Sequence, residues 1–266
     1  VQQCIDFGQS VAADFDIPFL FMSYYNILYK YDVDRFARAM ADIGIQGAIG
    51  WIMVASGLVD KPVVSDVRLT IHLLAAVTLM GLVLWMAVDR MARSAPPPPP
   101  LRSRALLPLA WTTLGFTVAQ VALGGIVAGL KAGHVSTTWP LMYGMWIPSN
   151  LTEGADAALL FVLEPIGSHW AHRWLAFVVA GLVAAVAAVV VRHQRDDRIL
   201  TTTVWAMSGL VITQVVLGVF TVLLNVPKWW ALTHQGVGVL LVASVIAAIH
   251  RVMASSRVSA RMPAAR

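Results

Sequence analysis

The sequence predicts an all-α polytopic membrane protein built from duplicated four-helix bundles, the first of them incomplete. Three observations predict it. The 266 residues are 58% hydrophobic and only 12% charged, which lies outside the range of ordinary soluble domains. The apolar residues fall into runs close to the ~20 that a helix needs to cross a hydrocarbon core. A short pattern, Gln followed four positions later by Gly, recurs as "QGAIG" at 46–50, "QVALG" at 120–124 and "QVVLG" at 214–218.

Taken in order, the strong spanning runs are residues 39–58, 69–88, 105–130, 171–191, 203–226 and 231–250, so about six or seven transmembrane helices are expected. The seventh candidate, "IPFLFMSYYNILY" at 17–29, is short and carries Pro18 and several polar side chains. The chain begins with Val1 and shows no basic-then-apolar leader, so a truncated or processed N-terminus is expected. Cys4 is the single cysteine, which excludes an internal disulfide and a thiolate-cluster metal site. Redox chemistry then requires a bound cofactor.

The net charge of +5 is a topology signal and not a nucleic-acid signal. If the helices alternate, fourteen of the 19 basic residues fall in one set of connections: Lys30, Arg35, Arg38, Arg90, Arg93, Arg102, Arg104, Arg192, Arg195, Arg198, Arg251, Arg257, Arg261 and Arg266. Lys61, Arg68, Lys131, Arg173 and Lys228 fall in the other. The positive-inside rule assigns the first set to the cytoplasm and predicts a multi-pass protein of the cell (inner) membrane. The run "RMARSAPPPPPLRSR" at 90–104 becomes a stiff cytoplasmic linker, since polyproline is extended and continues neither flanking helix. The expected division is an incomplete helix bundle over 1–89, the linker over 90–104, a four-helix bundle over 105–252 and a cytoplasmic tail over 253–266.

Seven histidines remain to be explained. His193 and His250 sit at cytoplasmic helix ends and His134 in an outer loop, where solvated or interfacial roles are expected. His72, His172 and His234 each fall within about a turn of the outer end of an expected helix, so they share one depth. Ionisable groups at that depth are expensive and mark a site. Two facing imidazoles on a four-helix unit suit a planar macrocycle, and histidine is a standard axial ligand of heme iron. A zinc site normally takes three or more protein ligands, and no clustered Asp, Glu or Cys stands nearby. His169 lies three residues before His172 on nearly the same face, as an alternative ligand or an outer hydrogen-bond partner. His172 is favoured because it is deeper and is followed by Arg173, whose guanidinium suits a heme propionate. The Gln and Gly of the repeat read as helix-packing residues, glycine allowing close backbone approach.

Residues about 40 to 250 resemble the heme A synthases, which convert heme O to heme A for terminal oxidase assembly. The matching stretches are "QGAIGWIMVASGL" at 46–58, "VSDVRLTIHL" at 64–73, "LGGIVAGLKAG" at 123–133, "TWPLMYGMWIP" at 138–148, "HR" at 172–173, and "VP" followed by "ALTHQ" within 226–235. The resemblance implies that His172 and His234 hold a heme b through its iron, and that His72 is one of two histidines bracketing the substrate heme O. It implies oxidation of a methyl group to a formyl group in successive hydroxylation steps. As partners it implies heme O synthase, an electron donor and the lipid bilayer, with no nucleic acid; a homo-oligomer stays open.

Departures from the family pattern fall in the N-terminal half. The family's second helix carries a Glu-X-X-His-Arg motif, and "VQQCIDFGQSVAADFDIPF" contains neither that glutamate nor that histidine. Lys131 replaces an acidic residue and Thr137 stands where asparagine is common. Glu153, Asp156 and Glu164 match no motif and read as solvated loop acids. Residues 1–266 by themselves are therefore expected not to make heme A. Two readings from other classes compete: a bis-histidine heme b electron-transfer membrane protein, and a transporter. The second ranks last, because the polar residues gather at one face and not at the midplane.

Overall fold

The computed structural model describes Asp6 and residues 66–94, 96–149, 151 and 160–261. Residues 1–68 and 69–266 form two compact units, and the first lies almost wholly outside the described residues. The expected spans at 17–29 and 39–58 therefore fall outside them, as do Cys4, Gln46 and Gly50.

Five long helices are described: α1 (Asp66–Ala92), α2 (Leu106–Gly129), α3 (Pro165–His193), α4 (Arg198–Leu223) and α5 (Lys228–Arg261). All five are long and apolar enough to cross a membrane, and the described residues contain no named strand. These helices make the chain an all-α, multi-pass membrane protein.

Helices α2 to α5 form a closed ring in which α2 packs on α3, α3 on α4, α4 on α5, and α5 back on α2. Its core is built mainly from valines, with leucine, methionine and isoleucine side chains between them. Val179, Val183, Val186 and Val190 of α3 meet Leu200, Val204, Met207 and Val211 of α4, and Leu241, Val245 and Ile249 of α5. Lipid tails are as apolar as these side chains, so close packing is what holds the ring together. Helix α1 lies against the ring, with Val77 packed on Val242 and Ile246. Two glycines allow that approach. A Cβ on Gly125 of α2 would stand 2.9 Å from Thr70 Oγ1, and one on Gly81 of α1 would stand 3.0 Å from Ile246 Cδ1.

Several helix ends differ from the expected spans, each for a local reason. Helix α3 begins six residues before the expected 171, because Pro165 at its first turn supplies a helical φ and no wasted N–H. Helix α5 continues from the expected 250 to Arg261, through a polar stretch that hydropathy does not register. Over 34 residues it extends about 50 Å at 1.5 Å per residue, well beyond a hydrocarbon core. Helix α4 is capped by Asp197, whose carboxylate accepts from Leu200 N at 3.1 Å and from Arg251 Nε at 2.8 Å.

The chain between α1 and α2 is bound, not free. Gln194 donates to the Pro100 carbonyl at 2.9 Å and accepts from Arg102 N at 3.1 Å. Leu101 N donates to Ser259 Oγ at 2.6 Å, on the polar extension of α5. Of the solvated or interfacial roles expected for His250, burial removes the first. His250 is 8% exposed, edge-on to Trp85 at a centroid distance of 4.9 Å, with Nε2 3.5 Å from Asp89 of α1. His193 and His134 are exposed as expected, and His134 pairs with Asn225 Oδ1 at 3.0 Å.

Candidate heme site

His172 and His234 are brought together across the ring from α3 and α5. Their ring centroids are 6.4 Å apart and their planes are 77° apart. Imidazole nitrogens bind metal at about 2.0–2.1 Å, with each ring centre about 1.1 Å further back, so two imidazoles on opposite sides of one metal stand about 6.3 Å apart. The pair fits that span. The Nδ1 atoms of both rings are buried and make no hydrogen bond among the described residues. Among those residues no group of three His, Cys, Asp or Glu side chains is placed to hold a metal ion, so the donor set is two imidazoles, which suits a macrocycle that brings its own equatorial ligands.

The repeated motif supplies the walls. On α2, Gln120 Nε2 lies 3.4 Å from His172 Nε2 and donates to the His172 carbonyl oxygen at 3.0 Å. On α4, Gln214 Nε2 lies 3.3 Å from His234 Nε2. One turn further along each helix comes the glycine. A Cβ on Gly124 would stand 3.1 Å from His172 Cε1, and a Cβ on Gly218 would stand 3.1 Å from His234 Cε1. The same arrangement, one glutamine and one glycine on one imidazole, therefore occurs twice. The repeat was visible in the sequence, but its function as a cradle was not, since the spacing from Gln to its histidine is 52 residues in one case and 20 in the other.

Arg173 is engaged with the protein. Its Nε donates to His169 Nε2 at 3.0 Å, and its terminal nitrogens donate to the carbonyls of Thr138 at 2.8 Å and Ser136 at 3.0 Å. Three of its five N–H groups are thus directed at His169 and the α2–α3 connection. His169, 2% exposed, stands as the partner of Arg173 and not beside His234. The connection itself is turned by Lys131, with φ 53°, and by Tyr143, with φ 55°. Tyr143 donates to the Val135 carbonyl. Trp170 of α3 donates to the Trp146 carbonyl at 2.9 Å, and the Trp174 ring lies between those of Trp146 and Trp170, with centroids 5.8 and 6.4 Å away. Such aromatic groups belong at a membrane–water interface.

His72 stands apart from the pair, as the seventh residue of α1. Its Nδ1 is also buried and without a hydrogen bond among the described residues. His172 and His234 are the eighth and seventh residues of their helices. All three therefore sit about two turns in, one turn deeper than the sequence suggested.

A multi-pass helical membrane protein with a facing imidazole pair in a four-helix ring is the class that fold and site define. Residues 7–246 match the family model described as "Cytochrome oxidase assembly protein", and the chain belongs to that family. It is similar to the heme A synthase of Sphingopyxis alaskensis, at 35% identity over 245 residues, covering 92% of this chain and 67% of that one. It is similar to the heme A synthase of Maricaulis maris, at 41% over 209 residues, covering 77% and 58%. A third such relative, from Flavobacterium psychrophilum, is 32% identical over 258 residues, covering 92% and 71%. The chain thus spans roughly three fifths to seven tenths of the length of these curated relatives. No solved structure matches it.

Proposed function

We propose that this chain is a heme A synthase, an oxidoreductase that converts a methyl group of heme O to a formyl group for terminal oxidase assembly. The single observation that carries the reading is the His172–His234 pair at 6.4 Å, in a chain whose curated relatives bear that name. His172 and His234 would hold a resident heme b through its iron, and that group would supply one-electron redox chemistry there. The chain's own residues supply position. Gly124 and Gly218 leave room for the two rings, and Arg173 ties the Ser136–Thr138 part of the α2–α3 connection to α3. The two N–H groups of Arg173 that make no bond among the described residues are available to a propionate. His72 is the histidine of α1 that meets the substrate, heme O. The linker over 90–104 and the C-terminal end of α5 face the cytoplasm, as the distribution of basic residues supports. An electron donor and a heme O-producing enzyme are its functional partners.

The test is pigment extraction from cells that make heme O but lack a heme A synthase. Residues 1–266 are expressed alone and, separately, joined to the preceding segment of the Sphingopyxis alaskensis relative. Heme A from either, lost on His72→Ala, carries the reading. Heme B alone from both, with heme O unaltered, overturns it in favour of a bis-histidine electron-transfer protein.

A further inference from the structure

The Gln-x-x-x-Gly repeat carries an inference about how the histidine pair is prepared, and it rests on the reading of that pair as heme ligands. A neutral imidazole has one N–H and one lone pair, and the partner of one nitrogen decides which nitrogen carries the proton. A glutamine amide nitrogen is a donor only. Its contact with a ring nitrogen is therefore satisfied when that ring nitrogen bears the lone pair. At His172 the amide orientation is determined by a second bond: the same Gln120 nitrogen that lies 3.4 Å from His172 Nε2 donates to the His172 carbonyl at 3.0 Å, where an amide oxygen would be repelled. The consequence is visible on the other side of the amide. Gln120 Oε1 is buried without a hydrogen bond among the described residues, and so is Gln214 Oε1. Gln120 is thus held by its nitrogen at the expense of its oxygen, and Gln214, which has no second bond to orient it, occupies the same place in the repeat.

We propose that Gln120 and Gln214 are positioning residues that select the tautomer of His172 and His234, keeping the proton on Nδ1 and presenting the Nε2 lone pair to the incoming iron. The two sites differ in strength. Gln120 grips both the ring and the backbone of His172, whereas Gln214 contacts the His234 ring alone at 3.3 Å. Gln214 depends instead on clearance, since a Cβ on Gly238 would stand 3.1 Å from its Nε2.

The full chain, prepared heme-free with 15N-labelled histidine and studied by NMR at about pH 8, where ordinary imidazoles are neutral, reads the tautomers directly. His172 and His234 are expected to be protonated on Nδ1 with bare Nε2. Gln120→Leu moves the tautomer ratio of His172 by about fivefold or more toward Nε2–H, the worth of one net hydrogen bond, and leaves His234 unchanged. Gln214→Leu does the reverse, so in each variant the other histidine reports that the ring has folded. Gln120→Met, which keeps the length and removes the donor, gives the same shift if leucine disturbs packing. A protonated Nε2 in the unaltered chain overturns the proposal, and so does a His172 ratio that neither substitution moves. Heme titration, followed separately by absorbance, distinguishes the two readings: the expected tautomers in a chain that binds no heme leave the glutamine assignment standing and refute the ligand pair.

Discussion

Gly218→Ala puts a single methyl group against one of the two imidazoles. Its Cβ would stand 3.1 Å from His234 Cε1, whereas carbon atoms in contact rest at about 3.5–4.0 Å. The ring must then retreat by roughly 0.4–0.9 Å, away from a position that already matches the span of two axial ligands. Overpacking of this kind costs about 1–3 kcal/mol. If that cost falls on the heme-bound state, affinity drops by about 5- to 150-fold. Alanine also gains about 1 kcal/mol of helix propensity over glycine, so the heme-free variant is expected to melt close to the parent. The two readouts therefore separate: thermal stability without heme near unchanged, heme affinity clearly reduced. Gly124→Ala, with the same 3.1 Å contact to His172 Cε1, should behave alike. Gly115→Ala and Gly209→Ala, where nothing lies within 4 Å, are the controls and should bind heme normally. Absorbance titration of purified protein in detergent measures all four. Parent-like affinity and an unchanged spectrum in both Gly124→Ala and Gly218→Ala would refute the cradle.

His172→Ala or His234→Ala is expected to abolish a low-spin heme b spectrum, whereas His134→Ala and His193→Ala leave it intact, as read in the purified protein. Arg173→Lys replaces three bonds spread over a planar guanidinium with one compact ammonium; hydrogen exchange at residues 136–138 should rise several-fold while the helices stay protected. Asp197→Ala removes both the α4 cap and the buried partner of Arg251. A loss of about 3–5 kcal/mol is expected for breaking such a pair, measured by denaturant titration, with Asp197→Asn, which keeps the cap acceptor, losing less. In a Cys4→Ser background, cysteines introduced at Ser94 and Ser149, both exposed, should label from opposite sides of the membrane; labelling from one side refutes the orientation.

Much of this architecture can be read from hydropathy, because an apolar run of membrane length has few other uses. His172 and His234 were legible for a related reason: an imidazole within a spanning helix is costly and calls for a partner. What the sequence could not express is contact between distant positions. Gln120 and Gln214 looked like packing residues, since nothing in a linear spacing of 52 or 20 residues says that an amide meets a ring. His250 looked solvated or interfacial because it lies near the end of an apolar run. Its burial comes from Trp85 and Asp89 on another helix. The bonds of Arg173 to Ser136 and Thr138 required the path of the α2–α3 connection to be known. The extension of α5 to Arg261 was missed because its arginines and serines depress hydropathy, although they belong to a helix that continues far enough to meet the linker.

The attachment of the linker bears on the order in which the protein is made. Leu101 is held by Ser259, which follows it by 158 residues, and by Ser255 of the same helix. At about 5–20 residues per second, the ribosome needs roughly 8–30 s to reach that serine after leaving the leucine. During this interval α2, α3 and α4 are made, and Gln194 at the end of α3 is the first of these partners of the segment to emerge. Five consecutive prolines, at 96–100, are well chosen for the wait. They lack the N–H groups that would let the segment add to a stray strand or coil into a helix, and their preset backbone leaves little freedom to lose when the last helix arrives.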